Sequence, residues 1–283
     1  MVTRSFLTDT ELSDITRANE SGRTPVVFVH GLWLLSSSWE RWRTLFEEAG
    51  YSTLAPVWPD DPDTVEAARQ DPAVFARKMV HQVTDHFLDV LGHLTKRPAV
   101  IGHSFGGLIA QSLAGTGESA VTVAVAPAPF RGVLPLPLSS LKAAFPVLGN
   151  PANRGRAVSL TYEQYRYGWA NALDEAEGRA LFDEFHVAAA GVPIFEAAAA
   201  NLNPFSQVTV DTRNPDRGPL LIISGQRDHV VPWAISQAAF KQQEHNPGLT
   251  EIVEVPNRGH SLTIDHGWRG VAELALDFIR THG

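Results

Sequence analysis

Apolar residues along this chain fall into two rhythms. In the first, short runs are apolar at nearly every position: "PVVFVHG" (Pro25–Gly31), "STLAPVW" (Ser52–Trp58), "AVIGHS" (Ala99–Ser104), "VTVAVAP" (Val121–Pro127), "PLLIISG" (Pro219–Gly225) and "EIVEVP" (Glu251–Pro256). Such runs read as strands covered on both faces, the arrangement of a buried parallel sheet. In the second, the apolar spacing lengthens to that of a helix. "SSSWERWRTLFEEAG" opens with serines suited to capping, sets Trp39, Trp42, Leu45, Phe46 and Ala49 near a 3.6-residue period and stops at Gly50. Phe75, Met79, Val83, Phe87, Val90, Leu91 and Leu94 predict a helix between Asp71 and Leu94, and Val271, Leu274, Ala275, Phe278 and Ile279 predict a last one. "DITRAN", ahead of the first run, reads as a short edge strand.

Strand and helix in alternation predict an α/β fold with a mostly parallel sheet and helices on both faces. The alternation lapses from about Ala128 to Arg217, where no strand-like run occurs and helical patterns lie near Thr161–Leu173 and Asp174–Val187. The expected organisation is a core domain of residues 1–127 and 218–283. Residues 128–217 would form a helical cap over one end of its sheet.

Composition narrows the partners. The chain has 283 residues, 44% of them hydrophobic, enough for one large core. A net charge of −8 without any run of lysine or arginine argues against nucleic acid and anionic membrane surfaces. The absence of cysteine excludes disulfides and thiolate metal sites. "MVTRSFLTDTELSD" has no apolar leader segment, and no apolar run approaches transmembrane length. A cytoplasmic protein without a membrane partner is expected; no dimer seam is visible, so the oligomeric state stays open.

The chemistry centres on "VIGHSFGG", Val100–Gly107. Three glycines in eight residues weaken any regular element, so the backbone there must be bent and bare. A strand ending in Gly-x-Ser-x-Gly and entering a helix turns sharply with Ser104 at the apex, its oxygen raised above the carboxyl edge of the sheet. The amide of Phe105 and the helix dipole then face the same point. The lysine of a phosphate-binding Walker loop is missing. A serine needs a base, and the base an orienting acid. "LLIISGQRDHVVP" puts Asp228 just past a later strand, and "EIVEVPNRGHSLTID" puts His260 just past the last one. The competing readings are a capping turn for Asp228 and His266 in place of His260. His30 and His103 read as structural, His81 and Asp85 as a solvated helix face rather than a metal site, and Asp60, Asp61 and Asp63 as turn chemistry. Tyr162, Tyr165, Tyr167 and Trp169 are either packing or pocket lining.

Taken in order, "VVFVHG", "GHSFGG", "GQRDHVVP" and "RGHS" resemble the α/β-hydrolase family. The resemblance implies a serine hydrolase with Ser104 as nucleophile, His260 as general base and acid, and Asp228 as orienting acid. It also implies a backbone oxyanion hole from Leu32 and Phe105, with Trp33 a less favoured substitute for Leu32. Some members place the acid after the preceding strand, but "VTVAVAPAPF" has no carboxylate. The family's leading hairpin would be shortened or partly absent, and "PVWPDDPDTVEAARQDP" stands where the family's Asp-x-x-Gly-x-Gly-x-Ser loop is common. A serine rather than aspartate nucleophile disfavours dehalogenase and epoxide hydrolase chemistry. The expected reaction needs no cofactor and takes a small hydrophobic ester or lactone, since "VLPLPLSSLKAAFPVL" and "VPIFEAAAANLNPF" in the insertion are apolar. Carbon–carbon hydrolysis, perhydrolysis and cyanohydrin cleavage are rival chemistries, and a ligand receptor is the rival outside catalysis.

Overall fold

The six apolar runs pair side by side into one sheet. The structure is a computed structural model that describes residues 7–283; residues 1–6, the start of the stretch read as lacking a leader, lie outside the described residues. The strands are β1 Pro25–Val29, β2 Ser52–Leu54, β3 Ala99–His103, β4 Val121–Val125, β5 Ala157–Val158, β6 Ala189–Ala190, β7 Leu220–Gly225 and β8 Thr250–Val255. The main sheet runs β2-β1-β3-β4-β7-β8, and every pairing in it is parallel. β1, β3, β4 and β7 are buried at every position, as their unbroken apolar sequences require. β8, at the edge, turns Glu251 and Glu254 to solvent.

The helices are α1 Asp9–Ser21, α2 Glu40–Glu48, α3 Val65–Gln70, α4 Val80–Gly92, α5 Phe105–Thr116, α6 Leu138–Leu148, α7 Tyr162–Gly168, α8 Glu175–Phe185, α9 Val192–Ala199, α10 Trp233–Gln243 and α11 Trp268–His282. α5 packs on β3 and β4 with α4 beside it, and Gln243 of α10 donates to Gln111 of α5 in a buried bond of 3.2 Å. α2 and α11 pack together on the other side of the sheet.

Two expectations need correction. "DITRAN" is not a strand but the middle of α1. Thr8 and Glu11 form a capping box there, and Glu11, Ile15 and Ala18 are buried at helical spacing before Gly22 ends the helix at φ 65°. The single helix read from Asp71 to Leu94 is instead a 3-10 turn, Pro72–Phe75, and α4. Ala76 is extended and Arg77 has a φ of 66°, so the chain changes direction between them while Val83, Phe87, Val90 and Leu91 still face the core.

Between β4 and β7 the chain folds into α6 to α9, and β5 pairs antiparallel with β6, a two-residue ladder that no strand-like run announced. Thr161 and Asp174 cap α7 and α8.

Candidate active site

Ser104 occupies a backbone conformation that a residue with a Cβ rarely adopts, φ 56° and ψ −119°. Three bonds hold it there. Its N–H donates to Val125 O at 2.9 Å, and its carbonyl accepts from Leu108 N at 3.1 Å and Ala128 N at 2.9 Å. The flanking glycines are sterically required. A Cβ on Gly102 would run into the carbonyl of Gly106, and one on Gly106 into the carbonyl of Val29. Strand and helix thus approach to backbone contact, and the serine is carried on a sharp elbow.

Parallel strands bring two more loops to the same edge. Asp228 follows β7 in a tight turn closed by its own N–H to Gly225 O at 3.1 Å. Its Oδ1 accepts from Val230 N at 2.7 Å and Val231 N at 2.8 Å, while Oδ2 accepts from His260 Nδ1 at 2.7 Å. His260 follows β8, and its Nε2 lies 3.0 Å from Ser104 Oγ. The carboxylate fixes the imidazole proton on Nδ1, so Nε2 accepts from the serine hydroxyl. Asp228 and His260 are both fully enclosed. His266, the rival histidine, is exposed and bonded to Glu177 at 2.8 Å, away from Ser104. Asp228 also makes the turn-capping bonds of the alternative reading, so that carboxylate does both.

His103 and Trp169 wall in His260. The Trp169 ring meets the imidazole edge-on with centroids 4.7 Å apart. His103 lies 4.8 Å away and donates from Nε2 to the His260 carbonyl at 2.9 Å. Burial, then the neighbouring His260, pushes His103 well below the usual imidazole range, so it stays neutral. Of the four insertion aromatics, Trp169 both packs and lines the cavity. Tyr162 and Tyr165 pack on Phe182, and Tyr167 on His229.

The amide of Phe105 is the first of α5 and has no carbonyl of its own helix to bond. Leu32 is buried in the loop after β1 and borders a narrow space behind that loop, whereas Trp33, with a φ of 64°, borders the cavity. Ser104, Phe105 and Trp33 stand at one wall of a cavity of about 360 Å³. Its other walls are mostly apolar, from Val133, Leu148, Leu160, Ile194 and Val231 among others, with Ser140, Gln164 and Asn201 the polar exceptions, and almost all come from the insertion or the Asp228 loop.

Sequence reasoning missed a buried cluster behind the same loop. Asp61, read as turn chemistry, has a side chain only 3% exposed; it pairs with Lys78 and lies 3.5 Å from His30 Nε2. Burial drives its carboxyl up to about 6 against the pull of Lys78. His30, driven down to about 4 by burial and then Lys78, donates from Nδ1 to Gly31 O at 2.9 Å. A lysine seventeen residues away in sequence gave no local signal of this pairing. Among the described residues, no group of three or more His, Asp or Glu side chains is placed to hold a metal ion, and no helix is long and apolar enough to cross a membrane.

Solved structures of similar architecture are numerous. A monoacylglycerol lipase of Paleococcus ferrophilus superposes with a TM-score of 0.64 at 20% identity, over 92% of this chain and 95% of that one. A pyrethroid hydrolase from Sphingobium faniae JZ-2 gives 0.60 at 19% identity, over 90% and 96%. An extracellular alpha/beta-hydrolase from a Paenibacillus species gives 0.60 at 16%, over 90% and 98%. No curated protein sequence matches the chain. The profile of the Alpha/beta hydrolase family matches residues 26–274, from β1 into α11, and the chain belongs to that family.

Proposed function

We propose that the protein is a serine hydrolase that cleaves a hydrophobic carboxylic ester or lactone through an acyl-enzyme on Ser104. The observation that carries this reading is the continuous chain of hydrogen bonds from Ser104 Oγ to His260, 3.0 Å, and from His260 to Asp228, 2.7 Å, opening onto an apolar cavity.

His260 Nε2 takes the serine proton as Oγ attacks the ester carbonyl. Positive charge then builds on an imidazole whose other nitrogen already donates to Asp228. The carbonyl oxygen becomes an oxyanion beside the amide of Phe105 and a second amide from the loop after β1, that of Leu32 by the family pattern or that of Trp33, which borders the cavity, and losing one such donor costs about 3 to 4 kcal/mol at comparable sites. His260 returns the proton to the departing alcohol. Water enters by the same route, with His260 again as base, and releases the acid. The apolar walls suit an acyl or alcohol group without charge, since a charged group would lose its hydration there unpaired.

The test is turnover of p-nitrophenyl esters from acetate to decanoate, wild type beside Ser104→Ala. Turnover should peak at one chain length and fall by roughly 10⁶ in the variant. A fluorophosphonate should label the wild type alone. A variant that keeps a tenth of the rate would sink the acyl-enzyme reading. Release of a ketone in place of the alcohol, of a peracid in place of the acid, or of cyanide from a wider panel would assign a rival chemistry to the site.

A further inference from the structure

The mouth of the cavity is unusually greasy. Seven of the ten large hydrophobic residues exposed on the chain's described surface sit on two short segments of the insertion: Leu134, Leu136, Leu138, Leu141 and Phe145 on one, Leu202 and Phe205 on the other. Leu138, Leu141 and Phe145 fall at i, i+3 and i+7 of α6, which makes a solvent-facing apolar stripe on a helix whose Val147 is turned inward. The two segments form one surface. Asn201 accepts from Gly132 N at 2.7 Å and donates to Val133 O at 2.8 Å, and Arg131 donates to Pro204 O at 2.8 Å.

That surface continues into the cavity, because Leu134, Leu136, Leu141 and Leu202 also line it. A patch of this kind marks an interaction site rather than ordinary surface. Its charge identifies the occupant. Residues 132–148 and 199–206 contain one charged side chain, Lys142, and its ammonium lies over the Tyr167 ring at 4.0 Å. Surfaces that bind anionic lipid are rich in lysine and arginine, whereas this rim adds to Lys142 only Arg131 at its base, which is engaged by the Pro204 carbonyl, and it belongs to a chain of net charge −8. A protein interface would carry roughly one hydrogen bond per 100–200 Å² with a polar rim, for which these segments offer few groups.

We propose that the apolar rim seats the protein on the surface of an uncharged lipid aggregate, so that ester molecules pass from that phase into the cavity without crossing water. The proposal rests on the hydrolase reading and names the physical state of its substrate.

Leu138, Phe145 and Phe205 are 84, 68 and 84% exposed and do not line the cavity, so a Leu138→Ser/Phe145→Ser/Phe205→Ser variant separates rim from pocket. Flotation with a triolein emulsion, with vesicles of phosphatidylcholine and with vesicles of phosphatidylglycerol reads binding without turnover, and can be run on Ser104→Ala protein. The wild type should float with triolein or phosphatidylcholine and not with phosphatidylglycerol, and the rim variant should bind about tenfold less. In rate measurements the variant should match the wild type on dissolved p-nitrophenyl butyrate and lose about tenfold on emulsified tributyrin. Equal flotation of both proteins would overturn the proposal, as would preference for phosphatidylglycerol. So would a wild-type dimer in light scattering that the rim variant abolishes, since a second copy would then cover the face. Inactivity toward every ester with flotation intact would refute the hydrolase reading and leave the lipid contact standing.

Discussion

Replacing Asp228 with asparagine changes one atom and should nearly abolish turnover, for a reason built into its turn. Oδ1 accepts two buried amides, from Val230 and Val231, and Oδ2 accepts the His260 proton. An asparagine has one oxygen to divide among these tasks. Aimed at His260, that oxygen would leave the amide nitrogen facing two N–H donors, with two buried bonds lost at about 1–3 kcal/mol each. The lower-energy choice keeps the oxygen on the amides and points the side-chain N–H₂ at His260. Nδ1 must then accept, the ring proton moves to Nε2, and Nε2–H confronts a serine hydroxyl that can no longer hand over its own proton. The same isosteric change in serine-protease triads lowers kcat by roughly 10⁴, equivalent to about 5 kcal/mol. Asp228→Asn should therefore lose about four decades in kcat with the melting temperature nearly unchanged, because the turn keeps its caps. Asp228→Ala should lose activity and melt lower. The assay is ester turnover paired with nitrogen NMR of the histidine tautomer. Turnover within tenfold of wild type, or a proton still on Nδ1 of His260, would refute the reasoning.

Two further outcomes follow from buried charge. Lys78→Met leaves Asp61 enclosed without its cation and should cost about 3–5 kcal/mol, about a 10 °C fall in melting temperature at this chain length; adding Asp61→Leu should recover most of it. Stability should also decline on mild acidification, because burial holds neutral both His30 and His186, which follows α8 and accepts from Leu160 N at 3.2 Å, each driven down to about 4. Their stabilisation is complete above the unfolded value of about 6.5 and is lost as pH falls towards 4, at about 3 kcal/mol each. Asp61, driven up to about 6, works in the opposite sense over the same range and offsets about one of those shares. Chemical denaturation at pH 7 and pH 4.5 measures the net loss, and equal midpoints would show that these imidazoles are not held neutral.

The sheet and the edge that carries the candidate site were legible because each is written locally. An unbroken apolar run such as "LLIISG" has one comfortable place, and a glycine on either side of Ser104 declares an elbow before any packing is known. Asp228 and His260 were legible for the same reason, each sitting just beyond a strand end. What sequence could not display was pairing at a distance. Asp61 lies among prolines and exposed acids, and only the fold brings Lys78 to it. α1 carries its signals at its ends, in the Thr-x-x-Glu box and the closing Gly22, whereas "DITRAN" in its middle holds only two apolar residues, too few to display a helical period. The extended step between Pro72–Phe75 and α4 interrupts a stripe whose apolar spacing runs on regardless, since the residues after the break return to the same core.

β4 and β7 are hydrogen-bonded neighbours, with Thr122 beside Leu220, although some ninety residues separate them in the chain. The pairing of the sheet therefore does not depend on what lies between them, and that stretch should tolerate replacement by another of different sequence. The exchange has one condition. Trp169 presses on His260 and accepts from Ser261 N at 3.3 Å, and Asn171 donates to Arg227 O at 2.7 Å beside Asp228. A chimera that imports a foreign stretch but keeps Trp169–Asn171 would retain the posture of the histidine and aspartate loops. One that discards this strip would acquire a new pocket over an unsupported His260.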